Sequence, residues 1–169
     1  MQKVIFALKS IKKLSMDILP EFLLVLKLIV ACIFGAFIGF ERERHGNAAG
    51  IRTYAAVAFG AALFTLIGIH STENTAASRI VANIITGIGF LGAGIIYKDN
   101  TKGLTHGLTT ASTIWATAAI GVSVAYDMYI IAIASTAVIY FLLSLHHFHW
   151  YIRLKEKWQI KENQGEEND

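Results

Sequence analysis

Glu41, Arg42, Glu43 and Arg44 follow one another where a long apolar run ends, and Arg52 closes the same polar segment, 41–52 (ERERHGNAAGIR). Hard cations such as Mg²⁺ take carboxylate oxygens and usually keep several waters. Glu41 and Glu43 at a helix exit could therefore offer an outer-sphere docking point for that ion. Two features weigh against a dedicated metal site. Arg42 and Arg44 neutralise the carboxylates locally, and glutamates at i and i+2 do not share a helix face. An ion-pair cluster that closes the helix ends is the favoured reading, with Arg52 or Arg79 available to pair with a glutamate.

Other residues invite chemistry and carry less of it. His146, His147 and His149 could attract a transition metal, but such a site also needs its geometry. They sit where amphipathic side chains favour the membrane interface, and that is the favoured reading. Asn83 is the one strongly polar side chain in the apolar run 80–97 (IVANIITGIGFLGAGIIY). In lipid its amide is costly unless hydrogen-bonded. A bond to a threonine of the next span is expected, and a polar lining for a solute path is the alternative. Gly87, Gly89 and Gly92 fit G-x-G-x-x-G, yet no strand precedes them and the run continues as an apolar helix, so the dinucleotide reading fails. No nucleophile has a base and an orienter, and no P-loop is present. An enzyme is not expected, nor is a cofactor, Mg²⁺ being the one candidate ion.

The elements that position these residues are membrane helices. The 169 residues are 54% hydrophobic and only 16% charged, with mean hydropathy +0.51. Soluble domains carry about 25% charged residues. The net charge of +3 and pI near 9.0 fit basic residues that flank membrane helices and face anionic lipid, so no nucleic-acid partner is expected. Cys32 is the only cysteine and reads as a small packing residue.

The expected fold is all-α, a polytopic bundle of about five spans. Residues 1–20 read as a basic amphipathic segment on the membrane surface: Val4, Leu8, Ile11 and Ile18 share a face, and Lys9, Lys12 and Lys13 lie largely elsewhere. No signal peptide is apparent. Residues 21–151 form the transmembrane domain, with spans at 21–40, 51–69, 80–97, 108–126 and 128–145. Residues 152–169 form a polar tail, expected to be disordered at its end. Lys27 lies about 10 Å inside the first span and is expected to snorkel toward the headgroups. Gly35 and Gly39 make a G-x-x-x-G helix-contact signal. The run 80–97, with Gly87, Gly89, Gly92 and Gly94, reads as the central, tightly packed helix, with Gly89 and Gly92 against a neighbour. The fourth span is rich in hydroxyls, Thr109 and Thr110 among them, which can bond across helices or to their own carbonyls. Trp150 and Tyr151 look like an interfacial belt. Most Lys and Arg residues, including Arg42, Arg44, Arg52, Lys98 and Arg153, fall on the side of the 41–52 loop and the C-terminus. The positive-inside rule puts that side in the cytoplasm.

Several motifs now stand in order: GFERE at 39–43, AGIRT at 49–53, SRI at 78–80, GIGFLGAG at 87–94, GLTT at 107–110, then Trp115 and AAIG at 118–121. Over about residues 24–143 the chain resembles the MgtC/SapB family of bacterial inner-membrane proteins. The resemblance implies a bundle of about five helices with a cytoplasmic C-terminus and a role in magnesium homeostasis or low-magnesium survival. It also implies links to persistence in hosts and to modulation of other membrane proteins, including ATP synthase. The best-known members continue into a soluble C-terminal domain, where only a short tail follows Leu145 here, so functions of that domain are not carried over.

Two function classes follow. In one, the bundle regulates another membrane protein, or associates with itself, through small-residue helix faces within the bilayer. In the other, it is a transporter or channel for Mg²⁺ or another cation. A cation path often uses acidic residues within the spans, and the spans here lack them. That favours the regulatory reading.

Overall fold

The structure, a computed structural model, describes residues 2–73, 75–99 and 104–145, with side chains described from Glu21 on. The fold is an all-α bundle of α1 (Gln2–Arg44), α2 (Ile51–Ile69), α3 (Ala76–Ile95), α4 (Leu108–Ala125) and α5 (Tyr129–Ser144). Between α3 and α4, β1 (Tyr97–Lys98) and β2 (Thr105–His106) pair antiparallel, Tyr97 opposite His106. Among the described residues, four stretches are long and apolar enough to cross a membrane: Glu21–Arg44, Ile51–Ile69, Ala76–Ile95 and Leu108–Ala125. α5 is apolar but shorter, at 16 residues. α1 runs through Pro20 as one helix. The side chains of the amphipathic segment lie outside the described residues, as do the histidine cluster, the Trp150–Tyr151 belt and the tail.

α2 and α4 hold the middle, and α4 touches α1, α2, α3 and α5. The buried core draws on Ile38 of α1, Tyr54 and Leu66 of α2, Ile114, Ile120 and Val124 of α4, and Ala132 and Ile139 of α5. Close backbone approach sets this arrangement. A Cβ on Gly35 would meet the Tyr54 carbonyl, one on Gly39 the backbone of Gly50 and Ile51, and one on Gly121 the Ala58 carbonyl. The G-x-x-x-G of the first span is thus the α1–α2 contact.

The glycine-rich helix is not the centre. Among its residues only Ala76 and Gly92 are buried. A Cβ on Gly92 would touch Ala111 at 3.5 Å, whereas one on Gly87, Gly89 or Gly94 would meet nothing within 4 Å. The expected contact therefore holds for Gly92 and fails for Gly89. Three residues turn a helix to within about 60° of a full circle. Among the described residues α3 packs against α2 and α4, and that offset is enough to carry Gly89 out of the contact.

At the opposite end from the charged loop, α4 ends in a Schellman turn. Met128 N–H donates to Ser123 O at 2.9 Å and Asp127 N–H to Val124 O at 3.1 Å. Asp127 takes the left-handed conformation, φ 60°, where glycine is usual and Asp is tolerated. Its carboxylate explains the choice. Lys27 Nζ donates to Asp127 Oδ2 at 2.7 Å, so Lys27 ties α1 to the α4–α5 turn instead of only snorkelling. The hydrogen bond from Lys27 holds the Asp127 carboxyl below its usual range. A carboxyl with a depressed folded pKa stabilises the fold above the unfolded value and loses that contribution as pH falls through the folded one. Asp127→Asn should therefore lower the thermal midpoint in detergent at pH 7. The gap to the parent should close on acidification below about pH 4. A gap that stays constant to pH 3 would show that the lysine contact contributes nothing.

Candidate functional site

The charged segment folds back on its own helix. His45 N–H donates to Arg42 O, Gly46 N–H to Glu43 O at 3.0 Å and Asn47 N–H to Arg42 O at 3.1 Å. Gly46 takes a positive φ of 70°, which lets the chain reverse there. The reversal brings Asn47 over Arg42. Asn47 Nδ2 donates to Arg42 O at 3.0 Å, and Arg42 Nη2 donates to Asn47 Oδ1 at 2.6 Å.

From there the side chains reach three other helices. Arg42 Nη2 also donates to Thr110 Oγ1 at 2.8 Å, tying the end of α1 to the first turn of α4. Arg42 Nε is buried and has no hydrogen-bond partner among the described residues. Glu41 is 4% exposed. Its Oε1 lies 3.3 Å from His45 Nδ1 and accepts from Ser144 Oγ at 3.4 Å, which links α1 to α5. Glu43 Oε2 accepts the Ile51 N–H at 2.9 Å. Gly50, the residue before α2, offers no side-chain cap, so Glu43 supplies one from α1 and sets a carboxylate against the positive end of α2. One turn deeper, the Tyr54 hydroxyl and Thr113 Oγ1 are 2.6 Å apart between α2 and α4. These bonds close one end of the bundle.

Glu41, Arg42, Glu43 and Thr110 thus come together, with pairings other than expected. Arg42 is held by neutral oxygens of Asn47 and Thr110, not by a glutamate, and Glu41 faces His45, whose Nδ1 also lies 2.7 Å from the Glu41 backbone oxygen. The two glutamates diverge, one toward α5 and one toward α2. Arg52 is exposed, and its side chain has no bond to a described residue. Arg79 sits at the other end of the bundle and pairs with Glu73 at 2.6 Å. Thr109 is exposed and contributes its carbonyl, which accepts from Thr113 Oγ1 at 2.7 Å. Asn83 is exposed beside α2 and bonds no threonine of α4, because its face of α3 turns away from that helix. Sequence reasoning missed His45, Asn47, Tyr54 and Ser144; Thr113 is one of the fourth-span hydroxyls expected to bond across helices, and it does so with Tyr54. Gly46-Asn47 carried a signal, since both favour turns. Tyr54 and Ser144 carried none, because their partners are remote in sequence. Among the described residues no three His, Cys, Asp or Glu side chains converge as metal ligands.

The MgtC family model matches residues 28–149, which include every residue of this helix-end cluster. The chain belongs to the MgtC family. It is 43% identical over 115 residues to Protein MgtC of Salmonella typhimurium strain LT2, covering 68% of this chain and 48% of that protein. It is 36% identical over 148 residues to Protein SrpB of Synechococcus elongatus, covering 79% of this chain and 80% of SrpB. It is 36% identical over 131 residues to the putative magnesium transporter YhiD of Escherichia coli, covering 73% and 60%. The chain therefore spans about half the length of the MgtC relative, at 48%. No solved structure matches it.

Proposed function

We propose that this membrane protein serves magnesium homeostasis or adaptation to low magnesium by modulating other membrane proteins. Family membership supports the link to magnesium, one relative being named a putative magnesium transporter. The observation that carries the modulating role is the commitment of Glu41 and Arg42 to bonds between helix ends. Groups so engaged act as a clasp on the bundle and not as a ladder for ions. The helices α2, α3, α4 and α5 contain no acidic residue, the group a cation path commonly places at membrane depth. A deletion strain should grow worse than its parent in magnesium-poor medium and equally well in rich medium. Vesicles holding only the purified protein should show no Mg²⁺ uptake above empty vesicles. Uptake that scales with protein content would replace this reading with the transporter.

The proposal includes residence in the bacterial inner membrane with the 41–52 loop and the C-terminus in the cytoplasm. The excess of Lys and Arg on that side supports the orientation. A reporter fused after Asp169 should be active as a cytoplasmic fusion, and a periplasmic signal would reverse the assignment.

A further inference from the structure

Among the described residues, α3 is the least covered of the four helices long enough to cross a membrane. Asn83, Thr86, Phe90 and Ala93 follow one another on it at spacings of three, four and three, so they form one stripe. All four are exposed. The stripe lies opposite Ile88, which packs on the core. Ala82, Gly87, Gly89 and Gly94 flank it, and a Cβ on any of the three glycines would meet nothing within 4 Å. The exposed faces of α1 and α5 are built differently. They carry Phe22, Leu26, Ile33, Phe37, Ile130 and Ile133, large side chains that suit lipid tails.

Asn83 selects what covers this stripe. It lies about 10 Å inside α3 at helical rise, and its amide bonds no described residue. Two exposed hydroxyls of the spans turn back on their own helices: Thr86 Oγ1 donates to Ala82 O at 3.1 Å and Ser112 Oγ to Leu108 O at 3.0 Å. The Asn83 amide makes no such bond, and leaving it among lipid tails is costly. A tail offers it neither donor nor acceptor, whereas a second Asn83 offers both. A two-fold axis along the membrane normal sets identical residues at the same depth, so the two amides meet without help from any other polar group. A lone Asn in the apolar seam of a coiled coil fixes pairing and register in the same way. Phe90 stands one heptad further on and is 84% exposed, with the small flanking residues leaving hollows around it. We propose that a second copy of this chain docks on this stripe, with the two Asn83 amides hydrogen-bonded across the axis and each Phe90 seated among the small residues of the other copy. This inference stands apart from the magnesium role and would survive its failure.

The test follows energy transfer between donor- and acceptor-labelled copies of the full chain in phospholipid vesicles as the protein-to-lipid ratio is raised. Transfer should rise along a monomer–dimer curve. Asn83→Leu should weaken the dimer about tenfold, while Asn83→Gln, which keeps the amide, should stay within about threefold of the parent. Gly89→Leu should also weaken it about tenfold by holding the helices apart, with folded yield kept, because its Cβ points into open space. Disulfide trapping in a Cys32→Ala background gives an independent readout. Thr86→Cys should be trapped as a covalent dimer, and Ile130→Cys, on the exposed face of α5, should not. A parent chain that stays monomeric at every ratio would overturn the proposal, even if the stripe then captured a different membrane protein. So would a dimer that neither Asn83→Leu nor Gly89→Leu weakens, or equal trapping at the two cysteines.

Discussion

Gly121→Leu is expected to abolish the folded protein. The new Cβ would land on the Ala58 carbonyl, 3.0 Å from its carbon and 3.1 Å from Ala58 Cα. Backbone atoms cannot rotate aside as a side chain can, so α4 and α2 must separate. Overpacking a core usually costs about 1–3 kcal/mol, and more when nothing can relax. In lipid no hydrophobic gain offsets the loss of close contact, because the tails are as apolar as leucine. Gly35→Leu should behave alike, since its Cβ would meet the Tyr54 backbone and Ala58 Cβ at 2.9 Å. Gly89→Leu and Gly94→Leu are the controls. Their Cβ atoms meet nothing within 4 Å, and leucine favours a helix over glycine by about 1 kcal/mol. The measurement is the yield of monodisperse protein from size-exclusion chromatography, with the thermal midpoint of what survives. Equal yields from Gly121→Leu and Gly94→Leu would mean that α2 and α4 do not meet there.

That contrast also shows what the sequence made legible. Long apolar runs with charges between them require helices, because lipid leaves no other partner for the backbone. The second span was placed at its observed bounds and the fourth to within a residue. Glycine density, however, does not say which face of a helix has a neighbour. Gly35, Gly39 and Gly121 are spaced thinly and sit at the closest contacts, while the crowded glycines of α3 mostly face outward. The same limit applies to the charged loop. Glu41, Arg42 and Glu43 stood out by type, but their partners depend on where distant helices end. Thr110 lies 68 residues from Arg42, and Ser144 lies 103 from Glu41. Local patterns supply helices and turns, and only the packing order supplies such pairs.

Arg42→Ala should cost about 2–3 kcal/mol of stability. The variant loses two charge-assisted hydrogen bonds, to Asn47 and Thr110, each worth about 1.5–3 kcal/mol. Relief of the buried Nε, which has no partner among the described residues, and of the charge desolvation offsets part of that loss. Arg42→Lys should fall between, because one ammonium lacks the planar fork of guanidinium that serves two acceptors together. Thr110→Val should cost less than Arg42→Ala, as Asn47 still holds the guanidinium. The decisive quantity is the coupling between the two sites. If the 2.8 Å bond ties α1 to α4, the double variant should be more stable than the sum of the single losses predicts. The expected coupling is about 0.6–1.7 kcal/mol, the range found for bonds between membrane helices. Reversible unfolding in mixed micelles gives all four values of the cycle. Additivity within about 0.3–0.5 kcal/mol, the usual result for independent sites, would show that Arg42 and Thr110 are neighbours without being partners, and the clasp at this helix end would lose its central bond.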